Sequence, residues 1–193
     1  MKKRCYWVGS DPIYLQYHDN EWGVPLYDDR TIFEFLILET FQAGLSWMTI
    51  LKKRENFRKA LDDFDYKIIA EYSDDKFEEL MNNGGIIRNR LKIKATISNA
   101  QAFIKIQKEF GSFSKYIWKF VDNNPIVNNY TSVKDIPAKT ELSDRISLDL
   151  KKRGFKFVGS TIIYSHMQAT GMVNDHTPDC FRYKEVQLLT EKK

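Results

Sequence analysis

The residues of this sequence that could do chemistry fall into separate groups. One centres on Glu39, a carboxylate that follows the apolar run Phe35 to Leu38. A helix that is apolar on every side is usually buried, and an ionised carboxylate carried in with it is costly unless something offsets its charge. Aromatic residues gather in the same part of the chain: Tyr6, Trp7, Tyr14, Tyr17, Trp22 and Tyr27, with Trp47 soon after Glu39. Their faces could sandwich a planar base, and hold it more tightly if it is cationic. Core packing, the commonest use of such rings, explains each of them equally well at this point.

A second group is Cys5, His18, His176 and Cys180. Two thiolates and two imidazoles suit tetrahedral Zn²⁺, and His176 and Cys180 stand close enough in the chain (180 − 176 = 4) to meet one ion. With every place filled by protein, such a metal would be structural, with no open position for water. It would also pin the first residues to the last. The other reading is two unrelated buried cysteines and two surface histidines, because the halves lie far apart in sequence. His166, the remaining histidine, falls mid-helix and reads as packing or surface.

The third group is the stretch Leu80-Met81-Asn82-Asn83-Gly84-Gly85-Ile86-Ile87-Arg88-Asn89-Arg90. It reads as helix, tight glycine turn, helix. Glycines let backbone approach a ligand closely, and the start of the next helix offers unpaired N–H groups, so an anion such as phosphate is favoured there. Arg88, Arg90, Lys92 and Lys94 would favour a polyanion further. An ordinary helical hairpin with a solvated basic face has the same pattern.

The elements that must position these groups are helical. Thr31 to Glu34 reads as a capping box opening the apolar helix that ends near Gly44, and a second helix spans about Ser46 to Leu61. Ser73 begins a short helix that stops at the Asn-Gly turn, where paired glycines tolerate positive φ. Ile93, Ile97, Ala100 and Ile104 recur at helical spacing until Gly111. A helix from about Ser143 ends in Lys151-Lys152-Arg153, and Ser160 caps a last helix that stops at Gly171. A short strand over Phe155 to Val158 is allowed, but no parallel-sheet rhythm appears. The fold class is all-α.

The chain has 193 residues, 42% of them hydrophobic and 14% aromatic, which is enough for one well-packed domain and argues against disorder. The formal charge of +4 permits a nucleic-acid partner without requiring one. No apolar run follows the basic start, so no secretory signal is read, and no segment is long enough to span a membrane. The expectation is a cytoplasmic protein, in which Cys5 and Cys180 stay reduced.

Six segments, taken in order, resemble the DNA-3-methyladenine glycosylase I family, a branch of the helix-hairpin-helix glycosylases. They are Tyr17 to Pro25, Gln42 to Trp47, Lys52 to Asn56, Gly85 to Arg90, Lys151 to Gly159 and Val173 to His176. The resemblance runs from about Arg4 to Cys180. It implies two helical subdomains around a base pocket in one domain, residues 1–185, with the hairpin at about 78–96 and a tail at 186–193. It implies that Cys5, His18, His176 and Cys180 hold one structural Zn²⁺ that joins the chain ends. Glu39 and Tyr17 would read the base edge and Trp47 and Trp7 would stack on it, with Tyr14 and Trp22 as further pocket wall. Gly84, Gly85, Arg88 and Arg90 would grip the DNA backbone, and the loop Gln42 to Leu45, with Gly44 and Leu45 at its tip, would enter the duplex. The implied activity is hydrolytic excision of 3-methyladenine from double-stranded alkylated DNA by a monomer. Many helix-hairpin-helix glycosylases carry a catalytic Asp after the hairpin; none stands between Arg88 and Gly111, in keeping with this branch. Thr40 and Phe41 follow Glu39 where the family often has a small residue, which leaves the pocket contour open. Two rivals fit parts of the pattern: a zinc-stapled module that grips DNA without chemistry, and a zinc hydrolase for small molecules. The latter would need an open metal position.

Overall fold

The first long helix shows how the chain is organised. In the structure, a computed structural model that describes residues 2–189, Asp28 rather than Thr31 starts it. The Asp28 carboxylate accepts from Thr31 N at 2.8 Å and from Thr31 Oγ1 at 2.7 Å, so the threonine hydroxyl is used up as a donor. A carboxylate is the better cap, since it also meets the positive end of the helix dipole. This helix, Asp29–Gln42, is preceded by Pro12–Asn20; we number them α2 and α1. Every residue of α2 from Ile32 to Phe41 is buried, as an all-round apolar sequence requires.

The chain continues through α3 (Trp47–Ala60), α4 (Tyr66–Ile69), α5 (Asp74–Asn82) and α6 (Arg90–Phe110). Ser46 and Ser73 cap α3 and α5 as expected, and Gly111 ends α6 in the left-handed conformation. Next come α7 (Phe113–Trp118), α8 (Glu141–Lys152), α9 (Ser160–Ala169) and α10 (Phe181–Leu188). The α8 helix starts just before the expected Ser143, because Thr140 and Ser143 form a reciprocal capping box. Ser160 is not a cap: Gly159 occupies that position, and the Ser160 hydroxyl meets Ser143 Oγ at 2.7 Å instead. Nor is α9 the last helix, since α10 follows the metal-ligand segment. It crosses residue 186, where the tail was expected to begin, and Val186 is buried.

Phe155 to Val158 is irregular rather than a strand, with Phe157 at φ +54°. Asn99 of α6 holds the segment, donating to Lys156 O at 3.0 Å and accepting from Lys156 N at 2.8 Å. The strands among the described residues, β1 (Ile126–Val127) and β2 (Val173–Asn174), form one short parallel pair. No described helix is long and apolar enough to cross a membrane.

The helices pack around two hydrophobic clusters. The larger gathers side chains from α2 through α9. The smaller joins the chain ends to the middle through Cys5, Val8, Tyr17, Trp22, Phe35, Leu51, Ala169 and Cys180. Leu26 and Trp47 pack against both, and Trp47 also lines a cleft that opens beside this junction.

Candidate functional site

The cleft has a volume of about 330 Å³. Trp7, Tyr14, Tyr17 and Trp22 come to it from the N-terminal segment and α1, Glu39 and Gln42 from the end of α2, and Trp47 from the start of α3. The sequence reading thus named most of its wall. Trp7 meets Trp22 edge-on at 5.0 Å and Tyr14 at 5.6 Å, while Tyr17 lies 5.5 Å from Trp47. Each ring fixes the next, so the wall is formed before any ligand arrives. Tyr6 and Tyr27 do not take part: Tyr6 is 90% exposed, and Tyr27 stacks on Trp118. Thr40 and Phe41 also stay out of the wall. Thr40 donates to Leu36 O within α2, and Phe41 packs on Phe57, so the residues after Glu39 leave the contour untouched.

Ile136, Ser165 and Gln168 complete the cleft and were not foreseen. A larger omission is His166. It is buried on α9, and its Nδ1 lies 2.9 Å from Glu39 Oε2. An ionised carboxylate only accepts, so Nδ1–H is then the donor. Burial pushes the Glu39 carboxyl above its ordinary range, and His166 opposes that shift. Burial likewise holds the Tyr17 hydroxyl well above its usual value, with the Glu39 charge adding to the effect, so Tyr17 keeps its proton as a donor. Glu39 Oε1, Trp47 Nε1 and His166 Nε2 are buried with no hydrogen-bond partner. Each such group costs about 1–3 kcal/mol. The first two belong to residues of the cleft wall and the third lies behind it, which leaves polar atoms free to meet a ligand there.

The metal candidates lie immediately behind the wall. Cys5, His18, His176 and Cys180 are all buried, and their ligand atoms lie within 4.8 Å of one another. His176 Nδ1 is 3.4 Å from Cys5 Sγ and 3.5 Å from Cys180 Sγ, and His18 Nε2 is 3.4 Å from Cys180 Sγ. A tetrahedral ion with ordinary Zn–N and Zn–S bonds spaces such atoms by about 3.5 Å. The outer nitrogens are fixed as well: His18 Nδ1 bonds Asp19 at 2.9 Å and His176 Nε2 bonds Trp22 O at 3.0 Å. Bifurcated hydrogen bonds from Arg4 hold the Asp19 carboxyl down at about 2, so it remains an acceptor for His18. A hydrogen bond from Cys5 drives Cys180 toward the thiolate that a metal requires. Donor set and spacing together fit a metal ion.

At the hairpin, Gly85 lies where a Cβ would come within 3.0 Å of Asn83 Oδ1 and 3.3 Å of Asn56. Neither Gly84 nor Gly85 has positive φ, and Asn83 ends α5 in extended backbone, so Gly85 gives close approach rather than a left-handed turn, while a side chain at Gly84 would meet nothing within 4 Å. Lys53 Nζ donates to Gly85 O at 3.0 Å and docks the loop on α3. Arg88 is exposed; Arg90 lies over Phe77 and pairs with Glu78 at 3.3 Å. Lys92 departs from expectation. It is buried and donates to Phe41 O at 2.8 Å and Ala43 O at 2.6 Å, satisfying carbonyls at the end of α2 instead of facing a polyanion. Beyond it Gly44, at φ +82°, turns the loop so that Leu45 stands 41% exposed beside the cleft mouth.

Fold and site define a helical protein with a preformed aromatic cleft that presents a buried carboxylate to a flat ring. The comparisons agree. The family described as methyladenine glycosylase matches residues 7–183. DNA-3-methyladenine glycosylase 1 of Escherichia coli (strain K12) is 49% identical over 181 residues, or 94% of this chain and 97% of that protein. A crystal structure of a 3-methyladenine DNA glycosylase I superposes with a TM-score of 0.90 at 52% identity, covering 93% of this chain and 98% of the other. The Staphylococcus aureus 3-methyladenine DNA glycosylase I, whose structure addresses 3-methyladenine recognition, gives a TM-score of 0.90 at 38% identity over 92% of this chain and 95% of its own. The chain belongs to the methyladenine glycosylase family.

Proposed function

We propose that this protein excises 3-methyladenine from alkylated double-stranded DNA by hydrolysis, leaving an abasic site. The observation that carries the reading is Glu39 Oε1, a carboxylate oxygen buried in an aromatic cleft without a partner. 3-Methyladenine attached to its sugar in DNA carries a positive charge on the ring. It offsets the buried carboxylate, whereas neutral adenine does not, so charge becomes a selector. Tyr17 donates to the base edge, and Trp47 and Trp7 add π-attraction of about 0.5–2 kcal/mol each. Tyr14 and Trp22 close the wall.

The target bond is out of reach inside a duplex, so the nucleotide is flipped out, at a cost of a few kcal/mol that falls for a damaged base. Leu45, on the turn made by Gly44, fills the gap. Gly84 and Gly85 bring backbone to the phosphates, and Arg88 and Arg90 supply charge, in the manner of a helix-hairpin-helix. Water adds to the sugar carbon and gives up a proton to solvent, while the glycosidic electron pair leaves with the base and cancels its charge. The leaving group therefore needs no general acid. A single base and one cleft require only a monomer. The soft-and-imidazole donor set selects Zn²⁺, whose contribution is to hold the chain ends together. Four protein ligands would fill the metal's positions, and Trp7 and Trp22 lie between these residues and the cleft, which speaks against the hydrolase rival. We place the enzyme in the cytoplasm.

The test is base release. Methylated duplex DNA is incubated with the protein at neutral pH, and the freed bases are separated by chromatography. The reading requires 3-methyladenine well above the spontaneous background, with little 7-methylguanine. No release by folded, metal-loaded protein would leave a DNA-binding module as the better account.

A further inference from the structure

His166 is buried opposite Glu39 on a different helix, 127 positions away in sequence, and it makes the carboxylate's one side-chain hydrogen bond. It is absent from the cleft wall, whereas its neighbour Ser165 and Glu39 itself line it. The histidine therefore stands behind the carboxylate, not beside the ligand. Its main chain is fixed too, because Thr170 Oγ1 donates to His166 O at 2.6 Å and α9 packs on α2.

A carboxylate at the end of a helix can rotate between rotamers that offer either oxygen to the cleft. Tying Oε2 to Nδ1 removes that choice and leaves Oε1 as the oxygen for a ligand. We infer that His166 is a positioning residue for base selection, acting only through Glu39: it fixes the rotamer of the carboxylate and leaves Oε1 as its recognising atom. This rests on the glycosylase reading and adds to it a residue that never touches substrate. Losing one hydrogen bond to a charged group weakens recognition about ten- to hundredfold.

His166→Met removes the donor and keeps the bulk apolar. His166→Asn keeps an N–H near the position of Nδ1. Both are compared with the unaltered protein in single-turnover excision of 3-methyladenine from methylated duplex DNA, alongside affinity for undamaged duplex and melting temperature. The inference predicts that His166→Met loses about ten- to hundredfold in the maximal excision rate with duplex affinity unchanged, and that His166→Asn recovers to within about threefold. Equal losses in both variants, or a full rate in His166→Met, would overturn it while the glycosylase reading stands. If His166→Met melts far lower, the recovery in His166→Asn alone decides, since a packing role would not be rescued by a smaller polar residue. No excision by the unaltered protein would remove the reading, and the inference with it.

Discussion

Two buried polar clusters lie within one ring's width of each other, and they are finished to different degrees. In the Cys5, His18, His176 and Cys180 cluster every donor and acceptor is assigned: Asp19 takes one imidazole proton, Trp22 O takes the other, and the sulfurs face both remaining nitrogens. At the cleft Glu39 and Trp47, and behind it His166, each keep one buried atom without a partner. A cluster that is complete stabilises. A cluster that is incomplete costs stability until a ligand completes it, which is the signature of recognition. The two share a wall, since Trp7 lies 5.5 Å from the His18 ring and Trp22 lies 4.6 Å from the His176 ring. The Cys5, His18, His176 and Cys180 cluster thus backs the cleft.

That contrast can be broken in several ways. The largest effect belongs to the finished cluster. Stripping the metal, or Cys180→Ser, lowers the melting temperature by roughly 10 °C and shifts the fluorescence of Trp7 and Trp22. Unchanged melting would show that the cluster backs nothing. Next is Lys92, which joins the start of the hairpin's second helix to the end of α2. Lys92→Met leaves two carbonyls without their donor, and destabilises the protein by about 1–3 kcal/mol. Excision falls more than duplex affinity; equal falls would mean that Lys92 binds DNA directly.

Smaller changes are expected at the surface. Arg88→Ala weakens binding to all duplexes alike and reduces the salt slope by about one. Arg90→Ala does less, because Glu78 and Phe77 already engage that guanidinium. The smallest effect is a gain. A carboxyl held above its unfolded value near 4.5 destabilises the folded chain once pH exceeds the raised value, and ceases to as pH falls below the unfolded one. Glu39→Gln should therefore melt slightly higher than the unaltered protein at neutral pH, with the gap closing toward about pH 4. A lower melting point at neutral pH would mean that the ionised carboxylate is compensated in the free protein.

Much of this was legible in residue types. Ser46, Ser73 and Gly111 announce helix ends by local chemistry alone, and the candidate metal ligands that the fold brings together are the protein's only cysteines with two of its three histidines. What was missed depends on partners distant in sequence. His166 looks like a leftover until α9 is set against α2, although its buried neighbours Ile163, Tyr164 and Met167 signal that a titratable group there needs a partner. Lys92 was read with the basic run around it. Its register with the buried Thr96, Asn99 and Phe103, at helical spacing, places it instead on the core face of α6. Composition marks a charge, but periodicity decides which way it points.

The most direct test of the unfinished cleft is Glu39→Gln, an isosteric change that removes the charge and turns one acceptor oxygen into an N–H donor. In single-turnover excision on methylated duplex, the account predicts a loss of at least about a hundredfold in 3-methyladenine release, with duplex affinity and fold retained. Excision by Glu39→Gln at the rate of the unaltered protein would contradict it and remove the buried carboxylate from recognition.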